Sequence, residues 1–519
     1  MSHVFFRIKE VVFFMTVLVF VGCGPSDPVV LDTRVLVEEL AGDDFEGRLT
    51  GSAGIKKAAD YITTQLNAIG AEPLPGSADF GQPFTYTAGV NDVGTNLDVV
   101  AEDAAEWSAP SLASSGVRGL AFSNSERIEG PLVFAGYGLS VPETDGFSYD
   151  SYGTLDVTGK IVVVLRYFPE DAEGSLRGTL SRYAGLRYKA FAARERGAIG
   201  LIVVTGPRSP NAGELVPLTF DNAMGDSGIV AATVDGELGA ALIESSGESL
   251  ESVQASLDTA NPHATGFELP LHATLDVRLE RQQDTGHNVI GYLPPTRESS
   301  TEKPYVVLGA HYDHLGRGRG GDSLARSDEQ GEIHNGADDN ASGTAGVLEI
   351  AAKLSSQSEK LKRSVIFMAY NAEEEGLLGS KFFVDNPTID LKKITAMINM
   401  DMIGRMSDKK VTIGGTGTSP SFKSILDELE PYYDINIRRS SEGYGPSDHA
   451  SFYVNDIPVL FFFTGTHTDY HKPSDDWEHI NAEGEKQILE MVHDIIYKID
   501  SIDEQLVFTE SGTKEESQT

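Results

Sequence analysis

The chain has 519 residues, which is long for one compact core and favours two domains. Its 78 acidic residues outnumber its 41 basic residues, and the net charge is −37. A field of that sign repels phosphate backbones, so the composition argues against a nucleic-acid partner.

The N-terminal segment has the features of an export signal. An apolar run over residues 11–21 follows two basic residues and is shorter than the roughly 20 residues that span a bilayer. The run ends at Gly22 and Cys23, and a small residue before the only cysteine is typical of lipoprotein processing. We therefore expect residues 1–23 to direct export to the bacterial periplasm or cell surface, with the membrane as a partner through a lipid on Cys23. Plain secretion is the alternative, because Phe20 stands where the lipoprotein pattern usually has Leu.

The spacing of apolar residues changes near residue 130, from a helical pattern to short continuous runs. Apolar residues at helical spacing predict two helices between residues 32 and 71, separated by the glycine-rich segment FEGRLTGSAG. Residues 130–279 contain short apolar runs such as KIVVVL, GLIVVT and IVAATV, with one helix predicted over residues 188–195. This texture predicts a separate, β-rich domain.

Strands and helices alternate after residue 286. Apolar runs predict strands at NVIGYL, YVVLGAH, SVIFMAYN, ITAMINMDM, VTIGG and IPVLFFF, and helices are predicted over residues 341–354, 422–429 and 483–499. The strands lack period-two alternation and need both faces covered, which predicts a three-layer α/β unit with a mostly parallel central sheet. The expected organisation is a discontinuous domain over residues 24–129 and 280–505, an insert over 130–279, and a disordered tail over 506–519.

Side chains that bind metals follow five predicted strands of this unit. The segments are HYDHLG, HNGADDNASG, NAEEEGLLGS, INMDMIGR and THTDYHKPSDDWE. Each has a structural explanation when taken alone: a surface histidine, a helix cap or a charged helix start. Strand ends meet at one edge of a parallel sheet, however, and together the five clusters predict a polynuclear metal site.

Two of the clusters carry a more specific signal. Within the glutamate run, one carboxylate can bind a metal while its neighbour moves a proton, as hydrolysis by an activated water requires. Asp401 follows an apolar strand that would not host an unpaired carboxylate without cost.

These motifs, together with SDHASF and YHKPSDD, resemble the dizinc exopeptidase family of bacterial leucyl aminopeptidases, glutamate carboxypeptidase and glutaminyl cyclase. The resemblance extends from residue 288 to about residue 499. The segments GPLVFAGYG, DVTGKIVVVLR and AARERGAIGLIVVT are similar to the protease-associated domain that is often inserted in these enzymes.

The resemblance implies two zinc ions as cofactors. His311 and Asp401 correspond to ligands of one ion, Glu374 and His471 to ligands of the other, and Asp338 to the carboxylate that bridges both.

Further positions match residues that support the site. Glu373 corresponds to the general base that takes a proton from the water between the zinc ions, although a shift by one position within the glutamate run stays open. Asp313 would orient His311, and Asp339 matches a residue that follows a cis peptide bond in the family. Asp448 and His449 of SDHASF are secondary candidates for the pocket.

The function predicted from these residues is removal of N-terminal residues from peptide substrates. An acidic cavity would attract a free α-amino group, which favours an aminopeptidase. A carboxypeptidase is one alternative, in which Arg405 or the Arg438–Arg439 pair would grip a substrate carboxylate. A glutaminyl cyclase is a second alternative, and a non-catalytic lipoprotein that binds partners through the insert is a third. The oligomeric state is not predicted.

Overall fold

The computed structural model describes residues 31–101, 116–144, 147–172, 176–177, 180, 183–218, 228–261, 266–296, 304–318, 323–326, 328–357 and 361–511. The predicted signal segment, including Cys23, lies outside these residues. Within them, no helix combines the length and apolar character needed to cross a membrane.

Ten α-helices lie within the described residues, and six of them stand close to positions predicted from the apolar pattern, whereas those that begin at residues 236, 250, 378 and 449 were not predicted from it. They are α1 (Thr33–Leu40), α2 (Ala53–Ile69), α3 (Leu186–Arg194), α4 (Gly236–Glu244), α5 (Leu250–Asp258), α6 (Gly343–Ser356), α7 (Leu378–Asp385), α8 (Pro420–Leu429), α9 (His449–Tyr453) and α10 (Ala482–Ser501). Asp32 caps α1, Ser52 caps α2, and Gly70 ends α2 in the left-handed conformation that glycine adopts readily.

The strands form two large sheets and one hairpin. They are β1 (Glu72–Pro73), β2 (Gly81–Asp92), β3 (Asn96–Ala101), β4 (Val117–Gly119), β5 (Arg127–Phe134), β6 (Ser140–Thr144), β7 (Phe147–Asp150), β8 (Ile161–Leu165), β9 (Gly200–Val204), β10 (Val230–Val234), β11 (Phe267–Asp276), β12 (Leu279–Leu293), β13 (Tyr305–His311), β14 (Ser364–Tyr370), β15 (Ile394–Met400), β16 (Lys410–Gly414), β17 (Asn436–Arg439) and β18 (Val459–Phe463).

The first sheet has a parallel centre and antiparallel flanks. Its order is β1-β12-β14-β13-β15-β18-β16-β17, with β2 also on β12. The central strands β14, β13, β15 and β18 are parallel, whereas β12 and β16 join them antiparallel. All four central strands therefore end at the same edge of the sheet.

Helices cover both faces of this sheet, as the apolar strands require. Val306 and Leu308 of β13 pack into a core shared with α2, α6 and α10. Val307 faces the opposite core, which contains Phe383 of α7 and Phe452 of α9. The predicted three-layer α/β class is confirmed.

The second sheet has the order β3-β11-β5-β8-β9-β10-β4 and forms the β-rich insert. Its two outer strands β3 and β4 precede residue 130, so the expected boundary at that residue is wrong. The long antiparallel ribbon of β2 and β12 explains the difference. It leaves the first sheet at Asp92 and returns from Leu279, and the chain between these residues builds the insert.

The C-terminal residues up to Ser511 do not match the disordered tail expected from residue 506. Leu506 is buried in the main core, and Thr509 N donates to Thr418 O at 2.9 Å. The Tyr453 hydroxyl also donates to Ser511 O at 2.9 Å. Apolar residues of this otherwise acidic segment, such as Leu506, pack against the main core and order the chain there. Residues 512–519 lie outside the described range.

Candidate metal centre

Parallel pairing brings the predicted clusters to one edge of the first sheet. β13 ends at His311, β14 runs into the glutamate segment, β15 runs into Asp401, and the segment after β18 carries His471. Since the carboxyl ends of parallel strands share an edge, segments far apart in sequence supply neighbouring side chains.

Three carboxylates that could bind a metal ion, and so act as metal donor groups, meet around His311. Its Nε2 lies 3.2 Å from Asp339 Oδ1 and 3.4 Å from Asp401 Oδ1. Glu373 Oε2 stands slightly farther away, at 4.0 Å from the same nitrogen. His311, Asp339 and Asp401 are buried, and Glu373 is partly buried.

A second group of donors meets around His471. Its Nε2 lies 3.2 Å from Asp339 Oδ2 and 3.3 Å from Glu374 Oε2. Asp339 thus presents one oxygen to each imidazole and joins the two groups.

These donor separations fit zinc. Zinc bonds of about 2.0–2.2 Å to nitrogen and oxygen, arranged as a tetrahedron, place neighbouring ligand atoms about 3.3 Å apart. The four donor pairs lie at 3.2 to 3.4 Å. Asp401 Oδ1 is buried and accepts no hydrogen bond within the described part of the chain. A mixed imidazole and carboxylate set also suits zinc better than magnesium.

Asp338 does not occupy the bridging position expected from the sequence. Its Oδ1 accepts hydrogen bonds from Gly404 N at 2.7 Å and Ser342 Oγ at 3.2 Å, and its Oδ2 lies 3.2 Å from His467 Nε2. Asp339 takes the position between the imidazoles instead.

The backbone of the loop that carries Asp338 and Asp339 explains why Asp339, rather than Asp338, lies between the two imidazoles. The amide N–H groups of Asp338 and Asp339 both donate to Asp475 Oδ2, at 3.0 and 3.1 Å, so their carboxylates leave the loop in different directions. The cis peptide bond joins Asp339 to Asn340, so Asp339 precedes it rather than follows it.

The acidic centre shifts the pKa values of its members. Burial acts to raise the pKa of Asp339, but hydrogen bonds with His311 and His471 outweigh burial and hold it well below its usual value. For His471, burial acts to lower the pKa, yet the contacts with Asp339 and Glu374 raise it to about 11. The Asp339 carboxylate is thus held in its charged form by the neighbouring imidazoles.

Glu373 behaves differently from Glu374. Burial raises the pKa of Glu373 well above its usual value, and the neighbouring carboxylates of Asp401 and Glu374 add to the rise against the opposing effect of His311. A carboxyl group with a raised pKa beside two donor groups is suited to accept and return a proton.

Asp313 supports the glutamate segment more directly than it supports His311. Its Oδ1 and Oδ2 accept hydrogen bonds from the backbone N–H groups of Glu373 at 3.1 Å and Glu374 at 3.3 Å. His311 Nδ1 lies 3.3 Å from the backbone oxygen of Asp313 and 3.8 Å from its carboxylate. Burial raises the pKa of Asp313 to about 6.

The SDHASF segment contributes Ser447, which sequence reasoning did not single out. Ser447 Oγ donates to Asp401 Oδ2 at 2.7 Å and accepts from Asn399 Nδ2 at 2.8 Å, so it fixes the orientation of Asp401. Asp448 is buried, and burial raises its pKa to about 7. His449 stacks on the Phe461 ring at 4.3 Å.

Two further residues at the centre were missed. His314, visible in the HYDHLG motif, lies with Nδ1 2.6 Å from Glu374 Oε1. Arg48 lies in the N-terminal segment FEGRLTGSAG, where no short-range pattern points to the centre.

Comparisons with known proteins agree with this geometry. Residues 288–496 match the model of Peptidase family M28, and residues 128–242 match that of the PA domain. Aminopeptidase YwaD of Bacillus subtilis is 27% identical over 440 residues, which are 77% of this chain and 80% of the relative. Leupeptin-inactivating enzyme 1 of Streptomyces exfoliatus is 32% identical over 190 residues, which are 36% of this chain and 37% of the relative.

A solved structure shares the fold over most of the chain. The aminopeptidase from Aneurinibacillus sp. strain AM-1 has a TM-score of 0.54 at 20% identity, covering 92% of this chain and 97% of that one. The two matches confirm the resemblance that the sequence motifs indicated, to Peptidase family M28 over residues 288–496 and to the PA domain over residues 128–242.

Proposed function

We propose that this protein is a metal-dependent aminopeptidase that uses two zinc ions to remove N-terminal residues from peptides. The observation that carries the proposal is the position of Asp339, whose two carboxylate oxygens each lie 3.2 Å from a different imidazole nitrogen. A carboxylate shared in this way is suited to join two cations. The aminopeptidase relative that aligns with most of the chain supports the same function.

The ligand sets follow from the donor groups. His311, Asp339 and Asp401 would hold one ion, and Asp339, Glu374 and His471 the other. Bound zinc ions polarise a substrate carbonyl and lower the pKa of water towards about 7. Asp339 would take the bridging role that the sequence resemblance predicted for Asp338.

Glu373 is the general base of this proposal. It lies beside the first donor group, with Oε2 4.0 Å from His311 Nε2, where its carboxylate can take a proton from the attacking water and return it to the leaving amine. Asp313 positions it by holding its backbone N–H.

Two of the three candidate arginines for gripping a substrate carboxylate form ion pairs with other side chains. Arg405 Nη2 lies 2.8 Å from Asp469 Oδ2, and Arg439 forms ion pairs with Asp427 and Glu430. The centre itself is rich in carboxylates, which attract an α-amino group. Both features favour an aminopeptidase over a carboxypeptidase. Two complete donor groups favour hydrolysis over the one-metal chemistry of a cyclase.

The membrane anchor is a separate proposal that rests on the N-terminal motif. We expect lipidation of Cys23 after export to the periplasm or cell surface. Cys23→Ser should move the protein from the membrane fraction to the soluble fraction without changing its specific activity. Wild-type protein found only in the soluble fraction would exclude the anchor.

Three matched peptides test the function. The zinc-loaded protein is given one tripeptide with free ends, the same peptide with an acetylated N-terminus, and the same peptide with an amidated C-terminus. Hydrolysis of the first and third alone supports an aminopeptidase. Hydrolysis of the acetylated peptide from its C-terminus would establish the carboxypeptidase alternative, and ammonia release from an N-terminal glutamine would establish the cyclase.

A further inference from the structure

His314 lies against the second donor group but does not share its geometry. Its Nδ1 is 2.6 Å from Glu374 Oε1, whereas the four donor pairs around His311 and His471 are separated by 3.2 to 3.4 Å. Two atoms bound to the same tetrahedral zinc lie about 3.3 Å apart, and a charge-assisted hydrogen bond is about 2.7 Å long. The shorter distance identifies a hydrogen bond from His314 to Glu374 rather than two ligands of one ion.

Contacts of the His314 backbone and ring fix the orientation of the imidazole that makes this hydrogen bond. Its backbone N donates to Arg48 O at 3.2 Å, and one face of the ring lies against Gly336. A Cβ atom at Gly336 would stand 2.4 Å from the imidazole Cδ2, so glycine is required there for the ring to fit. The ring also meets the His471 ring edge to face, with centroids 5.8 Å apart.

The hydrogen bond also assigns the proton on the ring. His314 Nε2 is buried and forms no hydrogen bond with the described residues. A buried N–H without a partner is costly, so the geometry favours the tautomer with the proton on Nδ1, where Glu374 accepts it.

From these contacts we propose that His314 is a positioning residue that restricts Glu374 to one metal-binding oxygen. Because Oε1 accepts the hydrogen bond from His314, Oε2 is the oxygen that faces His471 at 3.3 Å. The carboxylate is thereby held as a single-oxygen ligand. This inference rests on the proposed two-zinc function and adds a specific role for a residue outside the ligand set.

The arrangement also separates the roles of the two adjacent glutamates. Glu374 is fixed by hydrogen bonding to His314, whereas no hydrogen bond to a histidine side chain restrains Glu373 among the described residues. A fixed carboxylate suits a ligand, and a less restrained one suits a group that moves a proton.

Three substitutions at residue 314 test the proposal by zinc titration of the full mature chain against a competing chelator. His314→Ala removes the donor and should weaken binding of one zinc ion by about 10- to 100-fold, while binding of the other ion is unchanged. His314→Asn places an amide N–H near the position of Nδ1 and should recover most of the affinity. His314→Gln places its amide near the position of Nε2 and should not.

A matched control removes another buried histidine of the same domain. His493 on α10 lies 3.0 Å from Gln357 Oε1, remote in sequence from the donor segments, and His493→Ala should lower stability without changing either zinc affinity. If His314→Ala fails to fold, the comparison of the Asn and Gln variants still decides the question.

The outcomes separate this inference from the proposed function. Wild-type protein that binds no zinc would overturn the proposed function itself. Wild-type protein that binds two ions, with equal affinities in all three residue-314 variants, would overturn only the role of His314. Loss of one ion in the Ala and Asn variants alike would also overturn it, because direct ligation would then be required.

Discussion

Arg48 Nε donates a hydrogen bond of 2.8 Å to the backbone oxygen of Tyr312, the residue that separates His311 from Asp313. The same guanidinium donates to the backbone oxygens of Asn335 and Gly336, at 2.7 and 2.9 Å, just before the loop that carries Asp339. One buried side chain therefore ties together the two loops that present His311 and Asp339. Burial lowers the Arg48 pKa to about 10, so the guanidinium stays charged near neutral pH.

Arg48→Lys should weaken zinc binding as well as folding. An ammonium cannot reproduce the planar set of donors, and each buried carbonyl left without a partner costs about 1–3 kcal/mol. We expect a loss of about 2–4 kcal/mol in the free energy of unfolding and at least about tenfold weaker zinc binding. Urea unfolding of the metal-free chain and zinc titration measure the two effects.

Arg363 provides the matched control for this experiment. It is also buried and donates to backbone oxygens, those of Ile499, Asp500 and Ile502, but it does so beside the C-terminal helix. Arg363→Lys should cost similar stability and leave zinc affinity unchanged. If both variants weaken zinc binding equally, Arg48 has no specific role in positioning the ligand loops.

Asp339→Asn should lower the metal content, whereas Asp338→Asn should leave it unchanged. Asn at residue 339 keeps the size of the side chain but removes the charge and one of the two acceptor oxygens, so both ions should bind at least about 100-fold more weakly. Asn at residue 338 can still accept from Gly404 N, and two ions should remain bound. Elemental analysis after gel filtration measures the zinc content. If Asp339→Asn still binds two ions, the bridging role belongs to Asp338 instead.

Glu373→Gln should separate catalysis from metal binding. Glutamine cannot accept the proton, so the hydrolysis rate should fall by about 10²- to 10⁴-fold, while two zinc ions remain bound. Glu375→Gln is the control for a shift of one residue along the run, which would make Glu374 the base and Glu375 the ligand; it should keep both ions and most of the activity. Loss of a zinc ion in Glu375→Gln would move the ligand to residue 375 and the base to residue 374.

The sequence was sufficient to predict the architecture and the edge of the sheet where the site lies. Continuous apolar strands such as β13 require cover on both faces, and a carboxylate such as Asp401 after a buried strand requires a partner. Both requirements act over short stretches of chain, so they are visible as local patterns.

The parts that the sequence did not predict depend on contacts between distant residues. The choice between Asp338 and Asp339 is made by Asp475, which holds both of their amides from well over 100 residues away. The bridge between the loops depends on Arg48, which lies 264 residues before Tyr312. Neither contact has a local signature, and the outer strands of the insert were missed because their pairing with β11 and β10 is equally remote.

His449 should make the folded protein sensitive to mild acid. Its ring is buried against Phe461, and burial lowers its pKa from 6.5 to about 3. Between these values the unfolded chain binds a proton at this position and the folded chain does not, so stability falls as the pH drops below about 6.5. At pH 5 this single group should cost about 2 kcal/mol relative to pH 7.5.

The comparison of variants isolates this effect from the carboxylates that titrate in the same range. Urea unfolding of the metal-free chain, with chelator present at both pH values, should show that His449→Gln loses about 2 kcal/mol less than wild type between pH 7.5 and pH 5. Phe461→Leu keeps the histidine but reduces the cover over its ring, so its loss of stability between the two pH values should lie between those of wild type and His449→Gln. An unchanged pH dependence in His449→Gln would show that the folded protein accommodates the protonated ring.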